Sequence, residues 1–240
     1  MNIRPSITIN GVNSNTITGL LITELPPISK PLKRTLVDTI DGRDGDIITP
    51  LGYSAYDKPI KIALTYNYNI DEVIKFFDST GVVTFSNEPD KYYRFGIYEQ
   101  IDFERLIRFK TAEVVFHVQP FKFALDETEL ARDISSSPAE ITVYNAGNVY
   151  ARPTFSITGI GSVSFALNGS QLLTIELDSL NAEKIIIDSE AMNAYDVNNL
   201  LLNRRVTGDY DNIKLNIGSN TITLTGSVSK FTIKNYSRWI

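Results

Sequence analysis

The chain has 240 residues, 42% apolar and 21% charged, with a formal net charge of −5 and no cysteine. The missing cysteines exclude disulfides, thiolate metal sites and a cysteine nucleophile. Basic and acidic residues number 14 and 18 in residues 1–130, then 9 and 10 in 131–240, so neither part has the basic excess that a nucleic-acid reader needs.

No apolar run approaches the roughly 20 residues of a membrane span, and no membrane partner is expected. The opening "MNIRPSITING" has neither the apolar core nor the small-residue cleavage site of a secretory signal. The first informative stretch is "TLVDTIDGRDGDIITPLGY", where Asp41-Gly42 and Asp44-Gly45 are turn chemistry between two β-branched, extended segments. A projecting β arm at about 38–57 is expected, with Ile40, Gly42, Arg43, Gly45, Ile47 and Ile48 as its contact residues. A calcium loop does not fit, because Arg43 and Gly45 hold its third and fifth positions and Gly52 its twelfth. Nor does a phosphate cradle, because "IITPLGY" is β-branched and broken by proline where a helix should begin.

Next, "KPIKIALTY" alternates Ile60, Ile62, Leu64 and Tyr66 on one face of a strand. In "NIDEVIKFFDSTG", Ile70, Val73, Ile74 and Phe77 recur at helical spacing, Asn69 can cap the first turn, and Gly81 follows the end. One amphipathic helix over 70–79 is expected, packed on a sheet formed by "VVTFS", "KYYRFGIY" and "AEVVFHV". Together these make an N-terminal β domain over 1–132.

Serines cluster before Pro138 in "DISSSPAE", Asp133 to Glu140, and a second domain over 139–240 begins beyond it. There "ITVY", "TFSIT", "SVSFAL", "EKIIID", "VSKFTIK" and "YSRWI" read as the short strands of a β-sandwich. Register arithmetic expects a two-residue Gly218-Ser219 hairpin setting Leu215 against Ile222. It also expects a three-residue Leu167–Gly169 loop setting Val163 against Leu173, with Gly169 left-handed. "SEAMNAYDVNNLLL" hints at a helical turn.

Chemistry-bearing residues are sparse. His117 sits among strand residues and is read as structural, and no nucleophile elbow accompanies it. Asp188 with Glu190, and Asp209 with Asp211, have the composition of a glycosidase pair but also of ordinary solvated loops. Tyr92, Tyr93, Phe95 and Tyr98 alternate imperfectly, a hint of a contact surface, and Trp239 is assigned to packing. No catalytic residue, cofactor site or metal site is assigned.

From "DGRDG", "IDEVIKFFDST" and "VVFHVQPFKF", through "NAGNVYARPTFSITGIG", to "LLNRRVTGDYDNIKLNIGSNTITLTG", the sequence resembles the distal tail proteins of long-tailed bacteriophages of Gram-positive hosts. The resemblance covers nearly the whole chain, in the short form without an inserted carbohydrate-binding module. It implies a mainly β fold, with an N-terminal ring-forming domain carrying the helix and arm, and a C-terminal galectin-like β-sandwich. It further implies a non-enzymatic virion protein of the tail tip, assembled in the bacterial host cytoplasm. Such a protein forms a homohexameric baseplate hub, joined to the tail tube on one side and to the tip spike, tail-associated lysin or receptor-binding protein on the other. DNA passes through its central channel, which net acidity suits. The alternative function is a non-catalytic β-sandwich adhesin recognising cell-wall glycans, and a glycan hydrolase is the third.

Overall fold

The computed structural model describes residues 4–240, so Met1, Asn2 and Ile3 of the segment read for a secretory signal lie outside the described residues. The chain divides into two compact units between Leu125 and Asp126. The expected boundary at 133–140 therefore falls inside the second unit. The reason is a strand missed in the sequence: Leu130–Asp133 pairs residue by residue with Lys230–Ile233.

In the first unit the strands are β1 (Ile7–Ile9), β2 (Val12–Asn13), β3 (Leu20–Glu24), β4 (Lys33–Thr39), β5 (Asp46–Tyr53), β6 (Tyr56–Leu64), β7 (Thr80–Phe85), β8 (Lys91–Gly96) and β9 (Thr111–Ala124). All but β4 and β5 join one antiparallel sheet, in the order β2-β1-β7-β8-β9-β6-β3. Alternation puts Ile60, Ile62 and Leu64 of β6 beside Val114, Phe116 and Val118 of β9 in the core. Phe116 is its centre, with Phe77, Phe85 and Phe95 rings at 6.5, 5.7 and 5.1 Å. Tyr66, expected on the same face, lies beyond β6 and is fully exposed.

Helix α1 (Ile70–Phe77) starts as expected, with the Asn69 side chain accepting from the Asp71 and Glu72 N–H groups. It stops two residues earlier than expected, because Asp78 closes the last turn and β7 begins at Thr80. Its buried face is Val73, Phe76 and Phe77, while Ile74 faces outward. A second helix, α2 (Phe103–Phe109), was not expected. Asp102 caps it by accepting from the Arg105 N–H at 2.8 Å, and Lys110 in the left-handed region ends it where a glycine is usual.

The second unit contains β10 (Leu130–Asp133), β11 (Ala139–Asn145), β12 (Thr154–Leu167), β13 (Ser170–Glu176), β14 (Glu183–Asp188), β15 (Asn193–Tyr195), β16 (Val206–Gly208), β17 (Gly218–Lys234) and β18 (Arg238–Trp239). "TFSIT" and "SVSFAL" are one strand, β12, and "TITLT" and "VSKFTIK" are one strand, β17. The two pair along their length and bend where the register shifts at Thr158/Gly159 and Ile160/Ser164. Their first and second halves thereby serve different neighbours. β12 pairs with β14 and then β13, and β17 pairs with β11 and then β10. The curled sheet closes on Phe155, Phe165, Phe231, Ile185 and Leu215.

Both hairpin registers differ from expectation. The turn after β12 is the two-residue Asn168-Gly169, both left-handed, so Leu167 pairs with Ser170. A bulge after Phe165 then restores the faces, setting Phe165 against Leu173 and Val163 against Ile175. Only the left-handed Gly169 was as expected. Leu215 does not pair with Ile222 but exchanges two backbone bonds of 2.9 Å with Ala151, and β17 pairs with β11 instead. The segment expected to hold a helical turn contains β15 and a loop in which Asp196 accepts from the Asn198 and Leu200 N–H groups at 2.8 and 2.7 Å. The short 3-10 turn comes later, at Asn203–Arg205.

Candidate assembly interface

β4 and β5 form a separate two-stranded sheet. Its register runs from Lys33 opposite Tyr53 to Thr39 opposite Asp46, with a bulge between Arg34 and Thr35. Residues 33–53 therefore form the arm, which is rooted earlier than the expected 38–57 and ends before β6. At its tip the Arg43 N–H donates to the Ile40 carbonyl at 3.1 Å, and Gly42 and Gly45 have φ of +84° and +77°. A Cβ at either glycine would meet nothing within 4 Å, so glycine serves the backbone conformation there and not a close contact.

The pairing of Val37 with Ile48 places both on one face with Pro50, and the pairing of Leu36 with Thr49 places Leu36 and Ile47 on the other, while Leu51 is the extra residue of the bulge. Among the described residues nothing covers either face fully: Leu36 is 49% exposed, Val37 51%, Ile48 63% and Leu51 55%. Of the residues expected at the contact, Ile40, Gly42, Arg43, Gly45 and Ile48 are exposed and Ile47 is half-buried. The sequence reading missed Leu36, Val37 and Leu51, although the alternation in "TLVDT" carried the signal. A solitary two-stranded ribbon is marginally stable in water, and unpaired strand edges are templates for pairing.

The root is held firmly. The Ser54 N–H donates to the Leu32 carbonyl at 2.9 Å, and Tyr53 packs edge-to-face on Phe121 at 5.6 Å. The approach strap is gripped at two successive carbonyls, Pro26 by the Asn87 amide and Pro27 by the Lys58 ammonium, each at 2.9 Å. Lys58 is 1% exposed, with its ammonium 4.9 Å above the Tyr93 ring. Burial lowers its pKa to about 8, with Glu88 opposing the shift and Lys122 adding to it. Glu88 accepts from Tyr93 Oη at 2.6 Å and from the Lys122 ammonium. Burial pushes the Glu88 carboxyl up, but its bonds to Lys122 and Tyr93 and the nearby cations outweigh that and hold it below its ordinary value.

The remaining candidates are not brought together. His117 Nδ1 lies 2.7 Å from Asp57 across the β6–β9 pair, beside Tyr98, on a partly exposed surface. Asp188 accepts from the Glu190 and Ala191 N–H groups, Asp209 from that of Asn212, and Asp211 pairs with Arg152 at 2.6 Å, so these carboxylates hold loops. Tyr93 and Phe95 are core residues, Tyr92 stacks on Phe123 and Tyr98 is exposed. Trp239 is half-buried in β18. Among the described residues, no group of three or more His, Asp or Glu side chains could hold a metal ion, and no helix is long and apolar enough to cross a membrane.

No protein-family model and no curated protein matches the sequence. Among solved structures, the chain is similar to the SPP1 Dit protein (gp 19.1), described as a paradigm of the hub adsorption apparatus in phages infecting Gram-positive hosts. The TM-score is 0.69 at 15% identity, over 98% of this chain and 99% of that one. A structure of infectious bursal disease virus matches with a TM-score of 0.18 and 10% identity, over 92% of this chain and 57% of that one, and carries no argument. At this identity the first likeness establishes a shared fold, mainly β, across both units.

Proposed function

We propose that the chain is a non-enzymatic structural protein of a phage or prophage-derived tail tip, acting as a ring-forming hub. The observation that carries the reading is the β4–β5 arm: an anchored ribbon with apolar side chains exposed on both faces and both strand edges unpaired among the described residues. A second copy of the chain supplies what would cover it, and a head-to-tail contact whose rotation closes produces a ring. The fold shared with a hub adsorption protein over nearly the full length of both chains supports the same reading. In it, the ring is a hexamer around a channel for DNA, and it joins the tail tube to the tip spike or receptor-binding apparatus of the virion.

Light scattering tests the reading, with a particle of six subunits as the expected result. A deletion of residues 33–53, closed with a short glycine linker, is expected to reduce the particle to the monomer without changing the thermal unfolding of the second unit. A wild-type monomer at the highest soluble concentration would sink the hub reading. In that case, measurable affinity for cell-wall glycan would turn the assignment to the adhesin.

A further inference from the structure

The arm is electrically lopsided. At its root Lys30, Lys33 and Arg34 are three cations with no acid between Pro26 and Val37, and at its tip Asp38, Asp41, Asp44 and Asp46 stand against Arg43 alone. All eight side chains are exposed, and none joins an ion pair among the described residues. Even the nearest root and tip charges, Arg34 and Asp38, are four residue steps apart along β4, roughly 13 Å at about 3.3 Å per residue. That exceeds the Debye length of about 8–10 Å at physiological salt, so the two ends do not neutralise each other within one copy. Each end also presents apolar side chains beside its charges: Ile28, Leu32 and Leu51 at the root, 62%, 71% and 55% exposed, and Ile40 and Ile48 at the tip, 48% and 63% exposed.

We infer that the tip of one arm docks on the root of the arm of another copy, the aspartates against Lys30, Lys33 and Arg34, with Ile40 and Ile48 against Ile28, Leu32 and Leu51. The inference rests on the assembly reading above and deepens it by naming the surface that receives the arm. Equal and opposite net charge at the two ends argues for a second copy as the occupant, since one kind of arm then neutralises both. The unit's other basic group, Arg105, Arg108 and Lys110 around α2, is a poorer receiver. It is interleaved with Asp102 and Glu104, and Arg108 and Lys110 already stack on Phe109 and Tyr68 at 5.5 and 4.2 Å.

Two charge-reversed chains test it, one carrying D41K, D44K and D46K and the other K30E, K33E and R34E. Each alone presents like charges at both ends and is expected to associate at least about tenfold more weakly than wild type. An equimolar mixture presents opposite charges at every junction and is expected to return to within about threefold of wild type, with a marked weakening on raising salt. Misfolding cannot produce that recovery. A mixture as weak as its components, or either variant alone associating like wild type, overturns the docking inference. The deletion of residues 33–53 keeps the two readings apart. If it dissociates while the mixture fails to recover, only the docking surface is wrong, and if it associates like wild type, the arm has no role in assembly and both readings fall.

Discussion

The β4–β5 arm and the β12–β13 hairpin are built from the same local chemistry and meet opposite fates. Both are antiparallel, both turn through glycine in the left-handed region, and both carry one bulge. In β12–β13 the apolar side chains vanish from solvent, with Phe165 and Ile175 at 0% and Leu173 at 1%, whereas in the arm Leu36, Val37 and Ile48 stay about half exposed or more. Burial of apolar surface contributes about 25 cal/mol per Å², and only the first hairpin collects that stabilisation within its own chain. Hairpin formation and hydrophobic burial are separable, and the arm has the first without the second; in the proposed reading a second copy supplies the missing burial. The charges along the arm, together with Pro50 in β5, discourage promiscuous edge pairing meanwhile.

Substitutions can break that contrast. The largest effect is expected for Phe165→Ala, which removes a fully buried ring stacked at 4.5 Å on Phe155 and should destabilise the second unit by about 3–5 kcal/mol in denaturant unfolding. Next is the anchorage of the arm. Because folded Lys58 releases its proton near pH 8 while the unfolded chain holds it to about 10.5, the unfolded state binds more protons in that window. Stability of the first unit should therefore rise between those pH values, by on the order of 3 kcal/mol, and Lys58→Met should flatten the rise. Glu88 acts at the other end of the scale. Its lowered carboxyl contributes stability at neutral pH that is lost as the solution is acidified through its folded value.

Smaller effects sharpen the comparison. Gly169→Ala and Gly42→Ala both force an L-residue to positive φ in open space, so each should cost about 1–2 kcal/mol locally. For Gly169 the cost should appear in the unfolding of the second unit. For Gly42 it should appear in association and leave global unfolding unchanged, as checked by denaturant titration and light scattering side by side. The smallest effect on stability is expected for Leu36→Ala and Ile48→Ala, within about 0.5 kcal/mol of wild type, with the loss again confined to association. A destabilisation by either as large as that of a core residue would mean that the arm is covered by its own chain.

Much of the fold is visible in local patterns. The arm follows from two Asp-Gly pairs between β-branched runs, and α1 from Asn69 and the 3.6-residue spacing after it. α2 escaped because it is only about two turns long: Phe103, Leu106 and Ile107 recur at helical spacing, but Leu106 alone is fully buried and Lys110, not a glycine, marks the stop. The hairpin registers escaped for a different reason. A two-residue Asn168-Gly169 turn mixes faces unless a bulge follows, and nothing in "ALNGSQLL" announces the bulge after Phe165. Of the candidate interface, the tip was legible but its extent was not, because the exposure of Leu36, Val37 and Leu51 depends on no other element coming near them. The grip of Lys58 on Pro27 joins residues 31 positions apart and left no local trace.

Composition, turn chemistry and periodicity determined that this chain is mainly β, that α1 exists and that a glycine-punctuated arm interrupts the first unit, because each of these depends on side chains within a few residues of one another. Tertiary structure alone decided that β12 and β17 run on as single bent strands, where the units divide, and that the arm is a sheet of its own, separate from the two large ones. Those outcomes depend on which distant surfaces compete for the same apolar face, and that competition is settled by packing rather than by any local run of residues.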